Sequence, residues 1–267
     1  MKLVDVHCHL NHESFKKDLP EVIEKIKKAG VVAVLVSGTN PESNKEVLAL
    51  AKKYPLIKAS LGIYPIDAIG LAQDEDGSHG QKGPIDLDAE FAFIEENLEY
   101  VTAIGEIGMD FHWADKEETH DQQAANFRKI IRFAIKVKKP IVIHTRKAEK
   151  ECLDILEEEV QGKIPVDLHC FGGKKSLIRR AAELGFYCSV PPNIVRSHSF
   201  QTLVKIMPIT QLLTETDAPY LSPVHGERND SSNVPLTIQK IAEIKGLSEE
   251  KVADQIWKNY VKVFGNK

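Results

Sequence analysis

Val4-Asp5-Val6-His7-Cys8-His9-Leu10 is an apolar run that turns abruptly into two imidazoles two residues apart. On an extended strand the side chains at i and i+2 point to the same face. His7 and His9 then stand side by side, and Cys8 points away from them. Two imidazoles so placed can grip one divalent cation. The plainer alternative is a chance pair, one buried and one solvated. The run before them reads as a buried strand that ends in polar groups.

Seven further β-rich apolar runs follow: 31–36, 57–62, 101–107, 140–144, 165–169, 186–190 and 211–214. Helical spacing of apolar residues separates them, as at Leu19, Val22, Ile23 and Ile26, and at Ala124, Phe127, Ile131, Ala134 and Ile135. Strand–helix alternation means βαβ units and a parallel sheet. Eight units in 267 residues predict an α/β fold, a (β/α)8 TIM-type barrel forming a single domain over 1–267. An open doubly wound sheet is the alternative. Ser248 followed by Glu249 and Glu250 predicts a capped last helix to about residue 264. The polar, glycine-rich segment 67–87 reads either as a tolerated insertion or as a lid over the site.

A net charge of −4 excludes a protein that coats duplex nucleic acid through bulk basicity. A phosphate-bearing substrate must be held by local groups. The start of the chain turns polar within ten residues, too soon for a signal-peptide core, and no stretch has the length of a membrane span. Cys8, Cys152, Cys170 and Cys188 form no CxxC pair and read as small buried hydrophobes. The expectation is a cytoplasmic protein with no membrane partner.

The residues that follow each run carry the chemistry. Run one ends in His7 and His9, run four in Gly105-Glu106-Ile107-Gly108-Met109-Asp110, and run five in His144-Thr145-Arg146. Run six ends in His169-Cys170-Phe171-Gly172-Gly173 and run eight in Glu215-Thr216-Asp217-Ala218-Pro219. In a barrel all these C-terminal strand ends surround one mouth. Six nitrogen and oxygen ligands exceed the needs of one tetrahedral ion and suit two ions bridged by a carboxylate and a water. The allocation puts His7, His9 and Asp217 on one ion, His144 and His169 on the other, and Glu106 between them. One ion, with Glu106 free as a base, is the alternative. Zinc, magnesium and manganese all remain open.

The His-x-His start, GEIGMD, IHTR, HCFGG and TETDAPY, in this order, resemble the TatD family of metal-dependent hydrolases, amidohydrolase-like barrels. The resemblance runs over essentially the whole chain and includes Asn233-Val234-Pro235 and the tail 241–264. It implies a deoxyribonuclease that releases nucleotides from DNA, with single-stranded DNA or 3′ ends as the substrate. It also places His7, His9, Glu106, His144, His169 and Asp217 at the family's metal and catalytic positions. One departure stands out: the family commonly has histidine after Gly-Ile or Gly-Val at the third strand end, and here Gly62-Ile63 is followed by Tyr64.

The expected mechanism is attack on phosphorus by a metal-activated water, with Asp217 or Glu106 accepting its proton. Arg146 lies two residues past His144, shares its face, and is the candidate cation for phosphoryl oxygens. A rim ion pair is the plainer role. Arg228 is a second candidate cation, otherwise a solvated charge. Tyr64 and Phe171 are candidate base-stacking surfaces, with ordinary packing the alternative for Phe171. The same cage would also serve hydrolysis of a C–N or ester bond, including an aminoacyl-tRNA ester, because a metal-activated water does not name its electrophile.

Overall fold

The structure is a computed structural model that describes residues 1–71 and 83–265. Most of the expected lid, 72–82, lies outside the described residues. Eight strands form one sheet in sequence order: β1 Leu3–Cys8, β2 Val31–Ser37, β3 Ile57–Leu61, β4 Val101–Gly108, β5 Ile141–His144, β6 Val166–Leu168, β7 Tyr187–Val190 and β8 Leu212–Thr214. Each pairs in parallel with the next. A parallel strand is covered on both faces, so its sequence is a near-continuous apolar run rather than an alternation. β4 shows this fully, with every residue buried.

The helices are α1 Leu19–Lys28, α2 Pro41–Lys53, α3 Pro65–Ala68, α4 Leu87–Glu96, α5 Lys116–Lys136, α6 Glu149–Glu159, α7 Lys175–Glu183, α8 His198–Ile206, α9 Val234–Lys245 and α10 Glu249–Phe264. Local chemistry sets their ends. Asn40 and Ser43 form a reciprocal capping box on α2, and Asp115 accepts the Glu117 and Glu118 amides at the start of α5. α9 stops at Gly246, whose φ of +65° closes the last turn without a side-chain penalty. α10 begins at the expected Ser248 cap and buries Val252, Ala253, Ile256, Tyr260, Val263 and Phe264.

β8 returns to β1 and brings the sheet round on itself. The Thr214 hydroxyl donates to the Val4 carbonyl at 2.6 Å, and the Thr216 and Asp217 amides donate to the His7 carbonyl at 3.2 and 2.9 Å. A buried carboxylate reinforces this seam: Asp5 accepts the Thr216 hydroxyl at 2.5 Å and its amide at 3.0 Å. The open doubly wound alternative is therefore excluded. His9 and Asp217, at the two ends of the sequence pattern, arrive side by side just past the ends of β1 and β8.

Two strands depart from regular pairing where the ligand-type residues sit. The β1–β2 register shifts between Asp5 and Cys8, and the β4–β5 register shifts between Ile104 and Ile107. Such irregularities bend a strand locally and re-aim a side chain. They bracket His7 and Glu106.

Candidate metal centre

Glu106 occupies the middle of the mouth, and the glycines around it explain how. A Cβ on Gly62 of the β3 end would come within 2.5 Å of the Gly105 backbone. A Cβ on Gly108 would meet the His144 carbonyl at 2.0 Å, and φ there is +147°. The GEIG pattern is thus what lets β3, β4 and β5 approach closely enough to present one carboxylate to all the surrounding histidines.

The two oxygens of Glu106 face different partners. Oε2 lies 3.6 Å from Nε2 of both His7 and His9. Asp217 Oδ1 completes that side, 3.4 and 3.5 Å from the same two nitrogens. Oε1 lies 2.8 Å from His144 Nδ1 and 3.1 Å from His169 Nε2. The two groups overlap, since the His7 and His169 rings stack at 3.8 Å. All six sequence-selected residues therefore meet at one place, with the four histidines around the Glu106 carboxylate and Asp217 on the His7 and His9 side.

The outward ring nitrogens of His7, His9 and His144 are hydrogen-bonded, which orients the nitrogens that face into the centre. His9 Nδ1 lies 3.0 Å from the Ser37 carbonyl, so it carries the proton and Nε2 keeps its lone pair. His7 Nδ1 lies 3.1 Å from the Ser37 hydroxyl, and its buried Nε2 has no hydrogen-bond partner among the described residues. A buried nitrogen left without a partner is costly unless something else binds it. His144 Nε2 donates to Asp110 Oδ2 at 2.8 Å. His169 Nδ1 faces Glu215 Oε2 at 3.5 Å. Glu215 is itself fixed by the Ser189 hydroxyl at 2.6 Å and the Cys170 amide at 3.0 Å.

Electrostatics follow from this packing. Burial presses Glu106 toward its neutral form, yet His169, His7 and His144 hold its carboxyl well below the usual range. Burial opposes ionisation of Asp217 as well, and the His7 and His9 imidazoles beside it override that and hold the carboxyl well below its ordinary range. Asp110 is likewise drawn down to about 2 against its burial, chiefly by His144. Burial, and then the adjacent His169, push His7 below its ordinary value. His9, His144 and His169 are raised despite burial, because carboxylates face each of them. Asp217 itself sits at φ +53°, a left-handed conformation held by its own amide on His7 and by the Tyr220 amide on its carbonyl.

The expected substrate residues divide. The Tyr64 hydroxyl donates to Asp110 Oδ2 at 2.7 Å and lies 3.5 Å from His144 Nε2, so it faces the site. Arg146 is exposed at the rim, with its guanidinium 5.4 Å from the Trp113 ring centre and no ion pair among the described residues. Phe171 requires a correction: it is fully buried, with Gly173 packed against its ring, and it offers no surface to a base. Arg228 is held by both oxygens of Asp18, at 2.9 and 2.5 Å, and by the Ser14 carbonyl, over the Phe15 ring. Three residues that orient the cage escaped sequence reasoning. Asp110 and Glu215 stand inside the quoted strand-end motifs and carried that signal; Ser37 carried none. Cys8 points away from the histidines as expected, toward the Leu35 carbonyl at 3.7 Å.

Residues 4–265 match the model of the family described as TatD related DNase. The chain is 34% identical over 265 residues to a human protein named deoxyribonuclease TATDN3, covering 98% of this chain and 94% of that one. It is also 34% identical over 264 residues to a Methanocaldococcus jannaschii protein named as an uncharacterized metal-dependent hydrolase, MJ1582, covering 99% and 97%. Its fold is similar to that of the TatD homologue YJJV from Escherichia coli, with a TM-score of 0.83, 23% identity and coverage of 99% and 98%. Among the described residues no helix is long and apolar enough to cross a membrane. By the full-length family match and these relatives, the chain belongs to the TatD-related DNase family.

Proposed function

We propose that this chain is a metal-dependent deoxyribonuclease that binds two divalent ions and hydrolyses DNA phosphodiester bonds, acting from unpaired ends. The observation that carries the reading is Glu106, whose two oxygens face two separate sets of ligand atoms. His7, His9 and Asp217 would hold one ion, His144 and His169 the other, and Glu106 would bridge. The unpartnered His7 Nε2 and the fixed tautomer of His9 fit such a role. Membership of a DNase family supports the phosphodiester, and the end-directed part of the proposal rests on that membership alone.

When bound, the ions supply Lewis acidity and lower the pKa of a coordinated water. The chain's own residues do the rest. Asp217, held ionised by His7 and His9, accepts the proton of the attacking water. Glu106 keeps the two histidine pairs in register. Arg146, free of ion pairs among the described residues, neutralises charge on the phosphoryl oxygens. Tyr64 does not replace a missing base, since burial and the neighbouring Asp110 push its phenol up and keep it protonated. It serves as a donor to Asp110 and so steadies His144.

The test uses chelator-stripped protein with magnesium, manganese or zinc added back singly to end-labelled single-stranded and duplex DNA. Metal-restored nucleotide release that is lost in Asp217→Asn supports the proposal. Bound metal with no cleavage of any strand would redirect the reading to a C–N or ester bond. Cleavage that begins internally would remove the end-directed part alone.

A further inference from the structure

Outside the cage, one exposed aromatic is tied to it by a shared carboxylate. Asp110 uses Oδ2 to hold His144 and Tyr64. It uses Oδ1 to accept the amides of His112 and Trp113, at 2.6 and 2.9 Å. The turn that carries Trp113 is thus registered to a cage residue through one side chain. Gln123 of α5 grips the Asp110 backbone from below, at 2.8 and 2.9 Å. The Phe111 amide, donating to the Arg146 carbonyl at 3.0 Å, joins this turn to the one after β5.

On that anchored turn Trp113 is 54% exposed. Scattered apolar residues on a surface need no explanation. This one stands in an assembly, with the Arg146 guanidinium 5.4 Å from the ring centre and the His112 ring edge-on at 4.6 Å. The guanidinium lies over one face of the indole, so a positive charge adjoins an aromatic surface that is still half exposed. That pairing suits a strand whose bases and phosphates alternate, because stacking tolerates any base and the cation meets the adjoining phosphate. A base inside a duplex has both faces covered by its stacked neighbours.

We propose that Trp113 and Arg146 form a nucleotide subsite at the rim, where Trp113 stacks an unpaired base next to the scissile phosphate. The subsite rests on the phosphodiesterase reading and deepens it: the recognised substrate is unpaired nucleic acid extending at least one nucleotide beyond the cleaved bond. It also supplies the stacking surface that the buried Phe171 does not.

The chain has two tryptophans, Trp113 and Trp257. Trp257 packs against Tyr260 in α10, with ring centres 5.4 Å apart. The Trp257→Phe variant therefore makes Trp113 the sole indole reporter and should keep its nuclease activity. Phosphorothioate-linked oligothymidylate is titrated into it with metal present, and emission is followed. Labelled oligonucleotide binding and KM are compared for Trp113→Ala and Trp113→Phe, with melting curves as the check on folding. Saturable quenching is expected, with Trp113→Ala binding roughly 5- to 100-fold more weakly, mainly through KM, and Trp113→Phe largely restored. Active enzyme that binds the strand without quenching, and equally well as Trp113→Ala, would overturn the subsite and leave the nuclease reading standing. A parent protein that neither cleaves nor binds the strand would overturn both.

Discussion

The two sides of the Glu106 carboxylate are built differently. On the β1–β8 side a carboxylate, Asp217, points into the cage, and His7 and His9 are backed by a neutral residue, Ser37. On the β5–β6 side only histidines join Glu106, and carboxylates stand behind them: Asp110 against His144 and Glu215 near His169. Negative charge is present on both sides, directly on one and through an imidazole on the other. A carboxylate behind a histidine fixes its tautomer and raises its basicity as a ligand. The same charge can thus be applied to a cation at first or at second hand, and the second way makes the side more dependent on its supporting residues.

The largest effect is expected from removing the group both sides share. Glu106→Gln should lower hydrolysis by at least about a thousandfold, since metal charge stabilisation supplies several kcal/mol. Elemental analysis of the purified variant should show metal lost from both sides together. Loss of one ion only would mean that Glu106 belongs to one side.

Removing the ions tests both sides at once through stability. A cation held at a hundredfold over its dissociation constant stabilises by about 2.7 kcal/mol. A chelator should therefore lower the melting temperature by roughly 5–10 °C in a chain of this size. An unchanged melting curve would argue that the cage is filled by protons and hydrogen bonds alone.

The backing residues sharpen the contrast. Asp110→Asn should weaken metal binding roughly 10- to 100-fold. Ser37→Ala should do less, because the carbonyl that fixes His9 remains in place. Competition with a metal-sensitive dye measures both, and equal effects would erase the distinction between the two sides.

The smallest effect lies beneath the site. Asp167 on β6 is fully buried, both its oxygens lack a partner among the described residues, and burial, then Glu215, push its carboxyl up to about 8. The folded state holds that proton where the unfolded chain, with a pKa near 4, has lost it. Its contribution is complete in acid and declines as pH rises from about 4 to about 8. Asp167→Asn should therefore be more stable than the parent at pH 8, by roughly 1–2 kcal/mol, with the gain shrinking by pH 5. Denaturant midpoints at the two pH values decide it; a loss at pH 8 would show that the charged form is stabilised.

Much of this molecule was legible in order along the chain. Each apolar run became a strand, and the ligand-type residues at five strand ends met as the barrel topology requires. Asp110 and Glu215 were in view within those motifs without a role, because orienting a neighbour leaves no pattern distinct from any other acid. Ser37 was invisible, since a serine at a strand end has many ordinary uses. Phe171 misled because an aromatic after a strand can turn into the core or the mouth, and sequence periodicity ends where the strand does. Arg228 gained its partner from Asp18, 210 residues away.

By itself the sequence determined the alternation of strands and helices, the parallel sheet, and the types of group delivered to its C-terminal edge, because these depend on local periodicity and on residues within a few positions of each other. Only the tertiary structure decided which oxygen of Glu106 faces which histidine, which carboxylates stand behind the rings, and that Trp113 rather than Phe171 lies at the rim. Those outcomes are set by contacts between strands far apart in sequence, where differences of an ångström determine whether a hydrogen bond, a ligand or a packed ring results.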